Sequence, residues 1–338
     1  MYEFGKPLAA ALLSVGIAGS AVAGPVLEKT TQGFLDGLAG VPAIYTLSPQ
    51  EARDLLAGAQ SGPVAKPDVA IEDRVLSVGP TGETKIRVLR PDGLGETAPA
   101  IVYFHGAGWV MGDTLTHDRL VRELAVGAQA VVIFVDYDRS PEHRFPVAIE
   151  QDYAVAAYVA ENPSEFGIDA DRIAIAGDSV GGNMTAVVSL LAKERGGPDF
   201  VGQLLFYPVT DAGMDNASYE TFRDGPWLTA PAMDWFWNAY LPDAAAREHR
   251  YVSPLNATLD QLSGLPKALI ITAENDVLRD EGEAYAEKLT SAGVETTTTR
   301  YNETIHDFVM LNALAETPAT RAAIDQATAF LRDVFATR

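Results

Sequence analysis

The feature that most constrains this fold is an alternation, from Ala100 onward, of short apolar runs with longer segments of helical periodicity. Short, continuous apolar runs are typical of strands buried on both faces, and intervening helices allow neighbouring strands to run parallel. We therefore predict an α/β fold with a mostly parallel central sheet flanked by helices. The predicted strands span residues 101–104, 131–135, 173–176, 204–206 and 269–272, with a further run at 296–301. The predicted helices span residues 117–126, 147–160, 182–193, 281–292 and 318–335.

The part of the chain before Ala100 follows a different pattern. Residues 74–78 and 85–89 are β-rich and flank a Gly-Pro-Thr-Gly sequence, which predicts a β-hairpin. Residues 30–60 look helical in two pieces. Ser48 can cap the second piece, and Pro49 suits its first turn.

A second departure is the segment 214–247, which carries seven aromatic side chains without a strand pattern. Aromatic residues bury large areas wherever they lie, so most of these side chains can simply belong to the core. An insertion between sheet strands must nevertheless cover a face of the sheet or its carboxyl edge, where ligands bind in open α/β sheets. We therefore expect residues 24–70 and the insertion to form a helical cap on a main domain that spans residues 71–338.

The first 23 residues have the pattern of a secretory signal peptide. Lys6 precedes an apolar run that ends in Ala21-Val22-Ala23, so we expect cleavage after Ala23 and export to the periplasm or medium. A cytoplasmic location is the alternative, since Glu3 is unusual at this position. The apolar run is shorter than the roughly 20 residues that a membrane span needs, and no later segment qualifies.

Charge and composition restrict the partners of the chain. The formal net charge of −21 disfavours nucleic acids, because a polyanion would be repelled, and favours neutral or cationic small molecules. The absence of cysteine excludes disulfides, thiolate catalysis and cysteine-based metal sites. We expect neither a metal nor a cofactor, and we interpret Asp211 and Asp215 as solvated loop residues. The sequence leaves open whether the chain forms a homodimer.

A candidate nucleophile lies in Gly177-Asp178-Ser179-Val180-Gly181, between a predicted strand and a predicted helix. A sharp reversal at this point requires small residues, and it exposes the Ser179 hydroxyl at the start of the helix. This is the context of a nucleophile elbow. The alternative is a glycine-rich turn with an ordinary capping serine.

A second glycine-rich sequence, His105-Gly106-Ala107-Gly108-Trp109, directly follows the strand predicted at 101–104. Backbone N–H groups in such a loop can stabilise the negative charge of a tetrahedral intermediate. We predict an oxyanion hole formed by Gly106, Ala107 and Val180, with a flexible loop as the alternative. Ala107 would be strained by about 1–2 kcal/mol in the left-handed region, so we expect a negative φ there.

A serine nucleophile needs a base, and five histidines compete for this role. In α/β hydrolases the triad follows the chain order serine, acid, histidine, with the last two on loops after late strands. Asp276 and His306 lie at these positions. Glu274 and Asp280 are the rivals of Asp276, and we interpret Asp280 as a helix cap.

Five sequences together resemble the hormone-sensitive-lipase family of bacterial esterases, also called family IV, in its GDSAG subgroup. They are the two glycine-rich sequences above, Pro141-Glu142-His143-Arg144-Phe145-Pro146, Asp276-Val277-Leu278-Arg279-Asp280-Glu281-Gly282 and Ile305-His306-Asp307-Phe308. The resemblance implies an α/β-hydrolase catalytic domain with a cap, acting on short-to-medium acyl esters without a cofactor. Two departures from the family pattern are Ala107 and Val180, and Val180 is expected to narrow the acyl site.

These expectations predict two-step acyl transfer, with Ser179 as nucleophile, His306 as base and Asp276 orienting the histidine. The substrate is then a small-molecule carboxylic ester in a closed, shallow pocket. A deacetylase or amidase acting on a natural product is the alternative within enzymes. A non-catalytic small-molecule receptor on the same fold is disfavoured, because His306 is retained.

Overall fold

The computed structural model describes residues 25–337, whose strands form one eight-stranded sheet in the order β1-β2-β4-β3-β5-β6-β7-β8. The strands β2 and β4 are antiparallel, as are β1 and β2, whereas all the other neighbours are parallel. The predicted α/β fold with a mostly parallel sheet is therefore confirmed. The strands are β1 (Ala70–Leu76), β2 (Thr84–Arg90), β3 (Ala98–Phe104), β4 (Val131–Asp136), β5 (Ile168–Asp178), β6 (Gly202–Phe206), β7 (Lys267–Asn275) and β8 (Thr296–Ile305).

Helices cover both faces of this sheet. They are α1 (Lys29–Gly37), α2 (Pro49–Gln60), α3 (Asp118–Ala128), α4 (Val147–Glu161), α5 (Pro163–Phe166), α6 (Val180–Arg195), α7 (Ala217–Thr221), α8 (Ala230–Tyr240), α9 (Leu259–Leu262), α10 (Arg279–Ser291) and α11 (Pro318–Ala336). The helices α3 and α11 pack against each other on one face, while α6 and α10 share a second apolar cluster with β6 and β7. The central strands are consequently buried on both sides, as their continuous apolar sequences predict.

The segments outside the alternating region also form regular structure. The predicted hairpin is confirmed, with β1 and β2 paired antiparallel from Ala70 opposite Arg90 to Leu76 opposite Thr84. Ser48 caps α2 as expected, since its side chain accepts from Glu51 N and the Glu51 side chain returns to Ser48 N. The insertion contains α7 and α8, and it lies between β6 and β7 in the chain.

Two local predictions are wrong. The helix after the elbow begins at Val180, two residues before the predicted start, because Ser179 itself occupies the N-cap position. Asp280 does not cap α10: Leu278 is the N-cap residue, and the Asp280 carboxylate pairs with Arg279 Nε at 2.7 Å instead.

The segment interpreted as a signal peptide lies outside the described residues. Within residues 25–337, no helix is both long enough and apolar enough to cross a membrane.

Candidate active site

The turn that carries Ser179 joins β5 to α6 at the carboxyl edge of the sheet. Ser179 has φ 54° and ψ −119°, a strained conformation that is concentrated at functional sites. The close approach of strand and helix explains the glycines, because a Cβ at Gly177 would lie 2.2 Å from the Gly181 carbonyl oxygen. A Cβ at Gly181 would lie 2.0 Å from the Phe104 carbonyl oxygen. Only glycine fits at either position.

The three predicted triad residues are joined by hydrogen bonds. His306 Nε2 lies 2.9 Å from Ser179 Oγ, and His306 Nδ1 lies 2.7 Å from Asp276 Oδ2. Asp276 Oδ1 accepts from Leu278 N at 2.9 Å, which holds the carboxylate in place at the end of β7. All three residues are buried, with exposed fractions of 4% for Ser179, 2% for His306 and 1% for Asp276. Burial strengthens these bonds, since water competes weakly for the polar atoms.

Opposing effects set the pKa of His306. Burial lowers it, because the imidazolium is poorly solvated inside the protein, but the Asp276 and Asp307 carboxylates outweigh burial and raise the pKa to about 9. Asp307 Oδ1 lies 3.4 Å from His306 Nε2. Burial raises the pKa of Asp307 itself, against the effects of His306 and of the Trp227 indole N–H. Sequence reasoning missed Asp307 as a member of this charge cluster.

The loop after β3 differs from its prediction in two respects. Gly106 N donates to Asp178 Oδ1 at 3.0 Å, so this N–H is not available to an oxyanion. Ala107 has φ 74°, against the expected negative value, and Gly108 and Trp109 follow with φ 70° and 59°. The reason is a left-handed turn of three residues, which Met111 N closes by donating to the Ala107 carbonyl oxygen at 3.0 Å.

This turn presents other donors than those predicted. Ala107 and Gly108 line the cavity beside Ser179, whereas Gly106 does not. Within residues 25–337, the N–H groups of Ala107 and Gly108 have no hydrogen-bond acceptor. Val180 N lies in the first turn of α6, where N–H groups lack a carbonyl partner in the helix. Gly108 therefore replaces Gly106 among the N–H groups that can stabilise an oxyanion, together with Ala107 and Val180.

Asp178 connects the two loops, a role that its sequence position did not reveal. Its Oδ1 accepts from Tyr103 Oη at 2.6 Å as well as from Gly106 N, and its Oδ2 lies 3.2 Å from His117 Nε2. Burial raises the pKa of Asp178, but the neighbouring His117 outweighs burial and leaves the pKa below its ordinary value. His105 serves as a structural anchor: it stacks on Tyr137 at 4.1 Å, and burial lowers its pKa to about 3.

A cavity of about 410 Å³ opens onto Ser179 and His306. Its walls come from α1 and α2, from the loop after β3, and from the insertion, with Leu35, Leu56, Met233 and Phe236 among the apolar residues. Val180 is fully buried and does not line the cavity, so the expectation that it narrows the acyl site is wrong. The side chain belongs to the main hydrophobic core.

The strand order and the turn at Ser179 define a class of protein. A family model described as alpha/beta hydrolase fold matches residues 101–310. The chain belongs to the α/β-hydrolase family, in the hormone-sensitive-lipase-like branch known as bacterial family IV. Its place in the GDSAG subgroup stays a prediction.

Individual relatives are similar over nearly the whole chain. Carboxylesterase NlhH of Mycobacterium tuberculosis is 38% identical over 317 residues, covering 92% of this chain and 97% of that protein. A thermostable esterase from Pseudomonas putida ECU1011 is 48% identical, with a TM-score of 0.90 over 93% of this chain and 99% of its own. A fungal esterase from Rhizomucor miehei is 38% identical, with a TM-score of 0.87 over 92% of this chain and 97% of its own.

Proposed function

We propose that this chain, a carboxylic-ester hydrolase, uses Ser179 as its nucleophile, His306 as its general base and Asp276 as the carboxylate that orients the histidine. The observation that carries the proposal is the unbroken hydrogen-bond chain from Asp276 through His306 to Ser179, which ends at the floor of an apolar cavity. Nucleophile, base and orienting group within hydrogen-bond reach are the pattern of an activated serine.

The reaction proceeds by two acyl transfers. Ser179 Oγ attacks the ester carbonyl carbon while its proton passes to His306 Nε2, and the N–H groups of Ala107, Gly108 and Val180 stabilise the oxyanion. Collapse of the intermediate breaks the bond to the alcohol oxygen, which takes the proton from His306. Water then attacks the acyl-enzyme with the same proton transfers, releasing the carboxylic acid and restoring Ser179.

The cavity supports short-to-medium acyl esters as the substrate class. Its volume of about 410 Å³ is near the lower end of ordinary small-molecule sites, which span roughly 300–1,000 Å³. Apolar side chains of α1, α2 and α8 line it, and we propose that these segments form a cap. Each buried methylene contributes about 0.8 kcal/mol until the cavity is full, after which longer chains must displace the cap or remain in water.

The experiment is Ser179→Ala, assayed with p-nitrophenyl esters of graded acyl length and with a matched p-nitroanilide. We expect kcat to fall at least about 10³-fold in the mutant. Ser189→Ala is the matched control, because Ser189 is a buried serine on the same helix that bonds Thr185 O and Gln203 rather than His306. Comparable losses in both mutants, or none in Ser179→Ala, would contradict the nucleophile assignment, and a preference for the anilide would favour the amidase alternative.

We also propose that residues 1–23 direct export and are removed after Ala23. The support is the basic residue, apolar run and Ala-Val-Ala sequence at this end of the chain. The mass and N-terminal residue of protein recovered from the periplasm or medium test this, and an uncleaved cytoplasmic product contradicts it.

A further inference from the structure

The Asp307 carboxylate lies beside the nucleophile, and the proposed mechanism assigns it no task. Asp307 follows His306 directly, lies in the left-handed region at φ 64°, and lines the cavity with an exposed fraction of 8%. Its Oδ2 accepts from the Trp227 indole Nε1 at 2.9 Å. Its Oδ1 is buried and accepts no hydrogen bond from the described part of the chain, residues 25–337.

His306 supplies no donor to Asp307 Oδ1 in its neutral form, which is the form that acts as a base. Because His306 Nδ1 donates to Asp276, the Nε2 atom carries the lone pair that receives the Ser179 proton. In this neutral form, Asp307 Oδ1, at 3.4 Å from Nε2, faces another acceptor. A buried carboxylate oxygen in this position is stabilised by a donor that arrives through the cavity.

The charge of the cavity indicates what kind of donor this is. Asp224 and Asp307 both line the cavity, and no lysine or arginine of residues 25–337 does. The net charge of the whole chain is −21. A cation bearing an N–H group is therefore attracted to the cavity and can satisfy Asp307 Oδ1 by a charge-assisted hydrogen bond.

The position of Asp307 relative to His306 identifies the part of the substrate that meets it. His306 Nε2 must protonate the leaving alcohol oxygen from about 3 Å, and Asp307 Oδ1 lies 3.4 Å from the same nitrogen. The leaving oxygen and Oδ1 are therefore at most about 6 Å apart, a separation that a nitrogen two carbons from the ester oxygen can span with a hydrogen bond of about 3 Å to Oδ1.

We propose that Asp307 is a specificity-determining residue that accepts a hydrogen bond from a protonated amine on the alcohol part of the ester, two carbons from the ester oxygen. The substrate class is therefore esters of amino alcohols. This inference rests on the proposed function of Ser179 and His306, and it deepens that function by naming the leaving group. Trp227, from the insertion, orients the carboxylate through its Oδ2.

The test compares three butyrate esters at about pH 8, on the rising part of the expected pH profile, where part of His306 is neutral. The 2-(dimethylamino)ethyl ester carries a cationic N–H donor, the choline ester carries the charge without the donor, and the 3-methylbutyl ester is a neutral analogue of the same shape. We expect wild-type kcat/KM to favour the first over the third by at least about 10-fold, the effect of one charge-assisted hydrogen bond. The choline ester, which is attracted by the charge but donates no hydrogen bond, should lie well below the dimethylamino ester.

Asp307→Asn should reduce this ratio to near one. Asparagine tolerates the left-handed region and can still accept from the Trp227 indole, so the variant retains the local structure. Asp224→Asn removes the same charge from another wall of the cavity, and it should keep most of the ratio because the hydrogen bond at Asp307 remains. Trp227→Phe provides a second variant, and we expect it to lower the ratio by a few fold because Oδ2 loses its partner.

Four results would overturn the inference: a wild-type ratio near one, an unchanged ratio in Asp307→Asn, equal losses in Asp307→Asn and Asp224→Asn, or a choline ester as good as the dimethylamino ester. The last two would assign the preference to the charge of the cavity rather than to a hydrogen bond at Asp307. Failure of the proposed function is distinguishable, because Ser179→Ala would then hydrolyse all three esters, whatever their ratio in the wild type.

Discussion

Gly108→Ala is the substitution that tests the oxyanion loop most directly. Gly108 has φ +70°, and a Cβ placed on it would lie 2.0 Å from Cδ1 of Phe236, a side chain of α8. Contacts under 3.0 Å are essentially never made by a real Cβ, so either the phenyl ring or the loop must move. Phe236 is itself buried, with an exposed fraction of 3%. Because the ring has little room to move, we expect the backbone of the loop to shift as well.

The expected size of the effect has two parts. A side chain in the left-handed region costs about 1–2 kcal/mol of stability, and loss of one oxyanion donor costs about 3 kcal/mol in the transition state. We therefore expect a lower Tm together with a fall in kcat of about 10²-fold or more. Gly196→Ala is the matched control, because Gly196 has φ +62° but no atom within 4 Å of its added Cβ.

Two measurements separate these parts: thermal unfolding, and kcat for p-nitrophenyl butyrate. Both variants should lose Tm through the backbone, and only Gly108→Ala should lose kcat. A Gly108→Ala enzyme with the kcat of the wild type would refute the assignment of Gly108 N–H to the oxyanion hole. Equal losses of kcat in the two variants would show that stability, rather than the loop, controls the rate.

The remaining predictions concern the acid and the base. Asp276→Asn should lower kcat by about 10²–10⁴-fold, because His306 loses its orienting carboxylate. Asp280→Asn should lower the unfolding free energy by at most about 1 kcal/mol, since it breaks only a partly exposed pair with Arg279. An inactive Asp280→Asn enzyme would reverse this assignment. The rise of kcat/KM with pH should have its midpoint above histidine's ordinary pKa of about 6.5 and closer to about 9. The reason is that His306 stays protonated, and cannot act as a base, until the pH approaches its raised pKa. Asp307→Asn should move that rise to lower pH, and a profile centred at the ordinary value in both enzymes would contradict the carboxylates' influence on His306.

The architecture was predictable because it depends on local patterns. The apolar run at 131–135 lies within β4, and the run at 204–206 lies within β6, since continuous apolar residues suit a strand covered on both faces. The turn at Ser179 was predictable from local patterns too. Small residues mark the turn, and the hydrophobic pattern changes there from that of a strand to that of a helix. Chain order then selected Asp276 and His306, which the fold brings within hydrogen-bond distance of each other. Their catalytic roles stay predictions.

The errors concern interactions that the local sequence pattern does not specify. Gly106 and Gly108 are equivalent in the sequence, and only the hydrogen bond from Gly106 N to Asp178 distinguishes them. Val180 follows the nucleophile directly, yet its side chain packs in the hydrophobic core and does not line the cavity. The carboxylate of Asp280 fits a helix cap by type, but Arg279 engages it. In none of these cases does the residue type alone decide which contact forms.

The wrong prediction of a negative φ at Ala107 has a more general cause. Four residues other than glycine that line the cavity have positive φ: Ala107 at 74°, Ser179 at 54°, Trp227 at 65° and Asp307 at 64°. Each costs of order 1–3 kcal/mol, which a chain tolerates only where surrounding contacts determine the backbone. Those contacts are present: Met111 closes the turn at Ala107, Phe206 O accepts from Ser179 N, and Trp227 and Asp307 hold each other. Propensity reasoning places every residue in its preferred region and therefore fails where the fold holds side chains in strained positions around the nucleophile.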